Sequence, residues 1–234
     1  MSLKLPNIEV LFEDNHLIVI NKRSGDLVQG DKTGDKPLLD IVKEYIKIKE
    51  NKPGDVFLGS PHRIDRPTSG IIVFTKTTKA LTRMNKMFHD KEIQKTYWAI
   101  VKNKPPVNED TIVHYLKKNN IKNKSMAYSH EYKDAKRSEL EFKIIHEFNN
   151  FYLLNIKPLT GRHHQIRVQL STIGSPIKGD LKYGFNRSNP DASICLHARK
   201  IEFIHPVKKE PLVIVAKPNP NDSLWKEAGE LFKD

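Results

Sequence analysis

An α+β fold, with a mixed, largely antiparallel central sheet and flanking helices, is what this sequence predicts. Short apolar or alternating runs come in adjacent pairs joined by turn residues, which is how antiparallel hairpins read. Segments of helical period fall irregularly between those pairs. They do not follow each strand in turn, as a doubly wound parallel sheet requires. The 234 residues contain no linker that forces a division, so residues 1–234 are expected to form a single domain with a sizeable core.

Taken in order, residues 8–12 and 17–20 read as strands, with Glu13-Asp14-Asn15-His16 as the turn between them. A glycine-bearing loop runs from Ser24 to Gly34. Leu38, Ile41, Val42, Tyr45 and Ile46 recur at helical spacing behind Pro37, and Asn51-Lys52-Pro53-Gly54-Asp55 ends that helix. Residues 71–74 are wholly apolar and read as an interior strand. A helix capped by Thr77 or Thr78 follows, with Leu81, Met84 and Phe88 on its apolar side and Lys79, Arg83 and Lys86 opposite.

Residues 97–101 form a further strand. The stretch 102–136 is polar, with Lys117, Lys118, Lys122 and Lys124 among asparagines, and reads as a surface hairpin or insertion. Residues 140–144 alternate like a half-buried strand, and Asn149-Asn150 turns the chain into 151–156. A helix starts after Thr160-Gly161, with Ile166, Leu170 and Ile173 on its buried stripe. A late strand at 213–215 precedes a terminal helix opened by Asp222 or Ser223 and running to Leu231.

Composition narrows the function classes. Hydrophobic residues make up 38% and charged residues 29%, the balance of a soluble globular chain. No apolar run is long enough to cross a bilayer, and the first residues lack the apolar core of a secretory signal. Cys195 is the only cysteine, so an intrachain disulfide and a Cys-based zinc site are both excluded. A reducing cytoplasm is the expected location. No metal motif is formed by the ten histidines; His163 and His164 are adjacent, and neighbours on a regular element point apart. Net charge is +12, with a pI near 9.6, and the basic residues are spread along the chain. Such a protein attracts polyanions. Nucleic acid is the leading candidate and an anionic membrane surface the second, while plain solubility accounts for the charge equally well.

Three segments could carry chemistry. In His62-Arg63-Ile64-Asp65-Arg66-Pro67-Thr68-Ser69-Gly70, one carboxylate stands between two arginines just before a buried strand. A lone aspartate there serves as nucleophile, base or electrostatic clamp. Equally, Asp65 caps a turn and the arginines are solvated. In Thr160-Gly161-Arg162-His163-His164-Gln165-Ile166-Arg167, Arg167 lies at the border of the apolar stripe, either seeking a carboxylate or snorkelling to water. Tyr97, after Lys95-Thr96, stacks on a base or packs in the core.

Together, in this order, the three segments resemble the RluA family of pseudouridine synthases. The aspartate motif matches over residues 62–70 with Ile64 in place of leucine, Lys95-Thr96-Tyr97 matches Lys-x-Tyr, and Thr160 to Arg167 matches a Thr-Gly-Arg-x-His-Gln-Ile-Arg motif. Gly179-Asp180-Leu181-Lys182-Tyr183-Gly184, Leu196-His197-Ala198, Phe203-Ile204-His205-Pro206 and the block from Glu13 to Lys22 are also family-like. The departures are Arg23-Ser24, where relatives have Lys-Pro-x-Gly, and His163 and Gln169, where threonine and histidine are common. No N-terminal extension long enough for an S4-like RNA-binding domain is seen.

The resemblance implies the pseudouridine synthase fold with a basic active-site cleft. It implies isomerisation of uridine in structured RNA, ribosomal or transfer, with no cofactor, no metal and no membrane partner. Asp65 is then the catalytic residue, Arg167 the cation that holds it as an anion, and Tyr97 the ring stacked on uracil. Arg63 is the wedge that replaces the flipped base. His62, Arg66, Thr68, Arg162 and Gln165 are the expected RNA contacts, and Leu196 an apolar pocket wall. The default oligomeric state is a monomer. A non-catalytic RNA-binding or assembly factor on the same fold is the alternative. A glycosidase-like hydrolase needs a second carboxylate; Asp180 is the candidate, better read as a turn aspartate.

Overall fold

The computed structural model describes residues 4–30 and 33–233. Its strands and helices are β1 (Glu9–Glu13), β2 (Leu17–Lys22), α1 (Leu38–Lys49), β3 (Ser69–Thr75), α2 (Thr78–His89), β4 (Gln94–Val101), β5 (Glu109–Asn119) and β6 (Lys124–Tyr128), followed by β7 (Lys136–Glu147), β8 (Tyr152–Pro158), α3 (Gln165–Thr172), β9 (Leu196–Ile204), β10 (Pro211–Val215) and α4 (Ser223–Leu231). A single 3-10 turn spans Leu181–Tyr183. This is the α+β, largely antiparallel class the sequence predicts. No helix among the described residues is long and apolar enough to cross a membrane.

The chain forms two compact units, residues 1–94 with 200–217 and residues 95–199 with 218–234. In the first, β1, β2 and β3 form an antiparallel meander, and β10 pairs antiparallel with β9. Leu17–Ile20 of β2 and Ile71–Phe74 of β3 are almost fully buried, which explains their unbroken apolar runs. Helix α1 buries Leu38, Val42 and Ile46, spaced one turn apart. Thr77 caps α2 by accepting from Ala80 N at 3.2 Å. The buried stripe of α2 is Ala80, Met84 and Met87; Leu81 and Phe88 are half-buried at its edge, so the helix is rotated slightly from the predicted face. Residues 31 and 32 of the glycine-bearing loop lie outside the described residues.

In the second unit the strand order is β4-β8-β7-β5-β6, every neighbour antiparallel. The polar stretch predicted as a hairpin is β5–β6, whose first strand also pairs with β7 and is tied into the sheet. Trp98, Ile100, Leu140, Leu154, Leu170 and Trp225 are among the residues that build the core. Trp225 arrives on α4, whose first turn is capped by Asp222 accepting from Leu224 N and Trp225 N at 3.0 and 3.1 Å. Helix α3 is buried on every side from Gln165 to Leu170, not on one stripe. It begins at Gln165 because His164 has φ +53°, a left-handed conformation that no helix can continue through.

Candidate active site

Asp65 lies in a turn that feeds directly into β3. Thr68 N donates to Asp65 O at 3.0 Å and closes the turn. Ile64 and Thr68 point inward and anchor it, Asp65 is half-buried, and Arg63 and Arg66 are exposed. The turn is clamped to the loop after β2. Gly25 N donates to Arg66 O at 2.9 Å, Arg66 Nε returns a bond to Gly25 O at 3.0 Å, and Ser24 Oγ donates to Pro67 O at 2.9 Å.

Lys22 completes the clamp. It is 1% exposed, and its Nζ donates to the carbonyls of Arg23, Asp26 and Arg66 at 2.9, 2.8 and 3.1 Å. An ammonium has three N–H donors, and all three are used here. Burial pushes its pKa down to about 8, against the opposing pull of the Asp26 and Asp65 carboxylates. The sequence marked Lys22 only as part of a family-like block; a lysine beside a buried apolar strand was the available signal for a buried role.

The other expected contacts of this segment differ in exposure. His62 Nε2 accepts from Val73 N at 2.9 Å, and its ring stacks on Phe88 with centroids 4.7 Å apart. Its role in the fold is to fasten the segment to β3 and α2. Arg66 pairs with Asp35 at 2.7 Å at the surface, where such a pair is worth little. Thr68 is buried, and its Oγ1 has no hydrogen-bond partner among the described residues.

In the second unit, Tyr97 is half-buried on β4 opposite Ile156 and packs against the core. Lys95, two residues earlier, sits near Gly161, and burial lowers its pKa. The turn before α3 is held by Gln165. Its Oε1 accepts from Thr160 Oγ1 and Arg162 N at 2.7 and 3.0 Å, and its Nε2 donates to Glu139 O at 2.9 Å. Gln165 is 4% exposed, so it braces the turn from inside and leaves the exposed Arg162 as the outward-facing member of this motif. Leu196 opens β9 and is packed in the core.

Arg167 does not snorkel. It is buried, and its Nε and one terminal nitrogen donate to the two oxygens of Asp180 at 2.7 and 2.9 Å. This fork-to-fork pair uses two of the five guanidinium N–H groups. Asp180 is more than the predicted turn aspartate: it lies in a loop but is 1% exposed and holds Arg167. Gly179 makes this possible, since it has φ +87° and a Cβ there would lie 2.6 Å from Ser193 O. The Tyr183 ring covers the pair, 5.1 Å from the guanidinium carbon. Its hydroxyl accepts from Ser125 N at 2.8 Å and bonds His164 Nδ1 at 2.9 Å. His163 and His164 do not point apart as adjacent residues of a regular element do. Their rings stack at 3.7 Å, which the left-handed backbone at His164 permits.

The expected trio is thus distributed over both units, Asp65 on the first and Tyr97 and Arg167 on the second. Each half presents its group on a rigid support: a doubly clamped turn for the carboxylate, a buried ion pair for the cation.

Residues 16–172 match the family model described as RNA pseudouridylate synthase. The chain is 36% identical over 216 residues to the ribosomal large subunit pseudouridine synthase C of Buchnera aphidicola subsp. Schizaphis graminum (strain Sg), covering 88% of this chain and 66% of that protein. It is 33% identical over 217 residues to the protein of the same name from Vibrio vulnificus (strain CMCP6), covering 88% and 64%. The chain therefore spans just under two thirds of the length of these relatives. In structure it is similar to human RNA pseudouridylate synthase domain containing 4, with a TM-score of 0.76 and 22% identity over 95% of this chain and 92% of that one. The human domain containing 1 gives a TM-score of 0.72 at 22% identity, covering 94% and 86%. These two likenesses bear on the fold.

Proposed function

The chain belongs to the RNA pseudouridylate synthase family, and from that membership we propose that it converts uridine in RNA to pseudouridine, with Asp65 as the catalytic carboxylate. The observation that carries this reading is the nine-residue segment 62–70, which lies inside the family match and folds as a clamped turn with Asp65 half-exposed. The reaction breaks the bond between ribose C1′ and uracil N1 and, after the uracil turns, joins C1′ to C5. The C5 proton leaves and N1 ends protonated, so atoms balance without an external group.

Tyr97 and Arg167 are the other two members of the proposed catalytic set. Tyr97 stacks on the uracil and takes part in removing the C5 proton, and Arg167 supplies positive charge to the reaction. A base in a helix must be flipped out before it can react. Arg63, exposed two residues before Asp65, is the wedge, and Arg66 and Arg162 are contacts for phosphates. The names of the relatives point to ribosomal RNA of the large subunit as substrate, and the chain is then expected to act where that RNA is, as a monomer.

The test is direct. Purified protein is incubated with large-subunit ribosomal RNA transcribed without modifications and with no added cofactor, and the RNA is digested and analysed by mass spectrometry for pseudouridine. Formation at a defined uridine supports the reading. Its absence, with RNA binding intact, favours a non-catalytic RNA-binding factor and removes the catalytic assignment.

A further inference from the structure

We propose that the β5–β6 hairpin is an RNA-docking arm, in which Tyr128 and Tyr132 on its open face receive a base while Lys122 at its tip receives a phosphate. The proposal rests on the activity proposed above for its choice of RNA as partner. Its evidence is separate and lies entirely in the second unit.

Strand alternation sorts the hairpin into two faces. Ile112, His114, Leu116 and Ser125 are buried, so one face is fixed to the unit. Ser125 is the main anchor. Besides its N–H bond to Tyr183, its Oγ donates to His163 O at 2.7 Å and lies 2.9 Å from His163 Nδ1. This ties the hairpin to the residues immediately before α3, the helix that carries Arg167.

The register places Tyr115 opposite Tyr128 and Lys117 opposite Met126, which puts these four side chains on the other face. Tyr132 extends that face. Its ring stacks on Tyr128 at 4.2 Å and 7° between planes, and it remains 46% exposed. Lys117 Nζ lies 5.7 Å from the Tyr132 ring centre. Val113 and Met126 are exposed on the same face, and Ile121 at the hairpin tip is 97% exposed. Lys122 stands exposed at that tip, while Lys118, opposite Ser125, belongs to the other face.

A merely solvated lysine face does not need three exposed apolar side chains and an open aromatic stack. Between residues 115 and 137 there are seven lysines and arginines against two acidic residues, and although Asp134 pairs with Lys117 at 3.3 Å the segment as a whole is positive. Aromatic rings interleaved with cations are the chemistry that takes single-stranded bases and their phosphates. A polyanion without bases would use the lysines and leave Tyr132 idle.

The test measures binding of a fluorescent stem-loop RNA, with uridines in its loop, by anisotropy over a range of KCl. Each lost phosphate contact lowers the salt slope by about one. Lys122→Ala is therefore expected to bind more weakly and to lower that slope by about one. Tyr132→Ala is expected to lose affinity roughly five- to a hundredfold with the slope unchanged, the effect of removing one stacked base. Lys43→Ala/Lys47→Ala, on α1, is the control and is expected to bind like wild type. All these side chains are at the surface, and a melting curve on each variant confirms the fold. The arm is overturned if the hairpin variants bind with wild-type affinity and slope, or if the α1 control loses as much. Pseudouridine is measured in the same samples. Wild type that binds the RNA but makes no pseudouridine removes the proposed activity, while the docking arm is still decided by the binding curves.

Discussion

Replacing Asp180 is expected to damage both stability and activity through Arg167. The two residues form a bidentate pair at 2.7 and 2.9 Å with 5% and 1% of their side chains exposed. Asp180→Ala removes the carboxylate and leaves a guanidinium that cannot lose its proton. Breaking a buried pair this way costs up to about 3–5 kcal/mol, because the guanidinium loses two charge-assisted bonds while it stays out of water. A chain of this size has a total stability of roughly 5–15 kcal/mol, so the loss is a large share of it. At about 2–4 °C per kcal/mol, the melting temperature falls by up to roughly 6–20 °C. Asp180→Asn keeps the volume but turns one acceptor into an N–H that faces the guanidinium, so its loss is of the same order. Arg167→Met/Asp180→Leu removes both charges together and recovers much of the stability, since apolar replacement of a whole buried pair is neutral or better. That double variant is inactive if Arg167 serves the reaction. Urea unfolding of the four proteins reads these differences. A loss under about 1 kcal/mol for Asp180→Ala would show that the pair contributes little and refute the reasoning.

Three further outcomes follow from neighbouring geometry. Lys22→Met strands the carbonyls of Arg23, Asp26 and Arg66 and frees the Asp65 turn, so turnover falls. Wild-type activity is expected to decline with a midpoint near pH 8, where Lys22 loses one of its three N–H donors, and that decline is expected to be absent from the residual activity of Lys22→Met; an identical pH profile in both proteins refutes the link. Burial holds the pKa of His114 and of His205 below the ordinary histidine range. The unfolded chain then binds protons that the native one does not, so stability falls as pH drops from 6.5 through those lowered values. His205 faces the Asp14 carboxylate at 3.1 Å, and Lys208 and His16 are its other charged or titratable neighbours. Urea midpoints at pH 7.5 and 5.5, for wild type and His205→Gln, are expected to show a smaller drop in the variant; an equal drop rejects His205 as a contributor. Asp222→Ala removes the cap of α4 and is expected to cost about 1 kcal/mol without changing activity, measured by the same unfolding assay.

Much of the fold was legible because local signals agreed with burial. The apolar runs of β2 and β3 are buried, and Thr77 and Asp222 cap the helices they precede. Strand β9 was not legible as a strand. His197 and Arg199 are buried in it, with the Arg199 guanidinium 4.2 Å from the centre of the Trp98 ring, so its inward positions look polar in sequence. The start of α3 was misplaced because a left-handed histidine leaves no compositional trace. Within the candidate site, motif identity pointed to Asp65, Tyr97 and Arg167 but not to what supports them. Asp180 looked like a turn residue because its partner lies 13 positions away in sequence, and ion pairing over such a distance is set by packing. Lys22 was hidden for the same reason, since its acceptors are backbone carbonyls that every residue possesses. Gln165 reads as a surface amide, yet its bonds are spent on its own turn and on the Glu139 carbonyl of β7.

The central claim is that the carboxylate of Asp65 carries the chemistry. Asp65→Asn keeps the shape of a half-buried side chain on a clamped turn and removes its charge. The most direct measurement is a single-turnover assay of pseudouridine formation, with enzyme in excess over large-subunit ribosomal RNA and RNA binding measured in parallel. The predicted result is normal binding with no pseudouridine formed. Pseudouridine formation by Asp65→Asn at the wild-type rate would contradict the account.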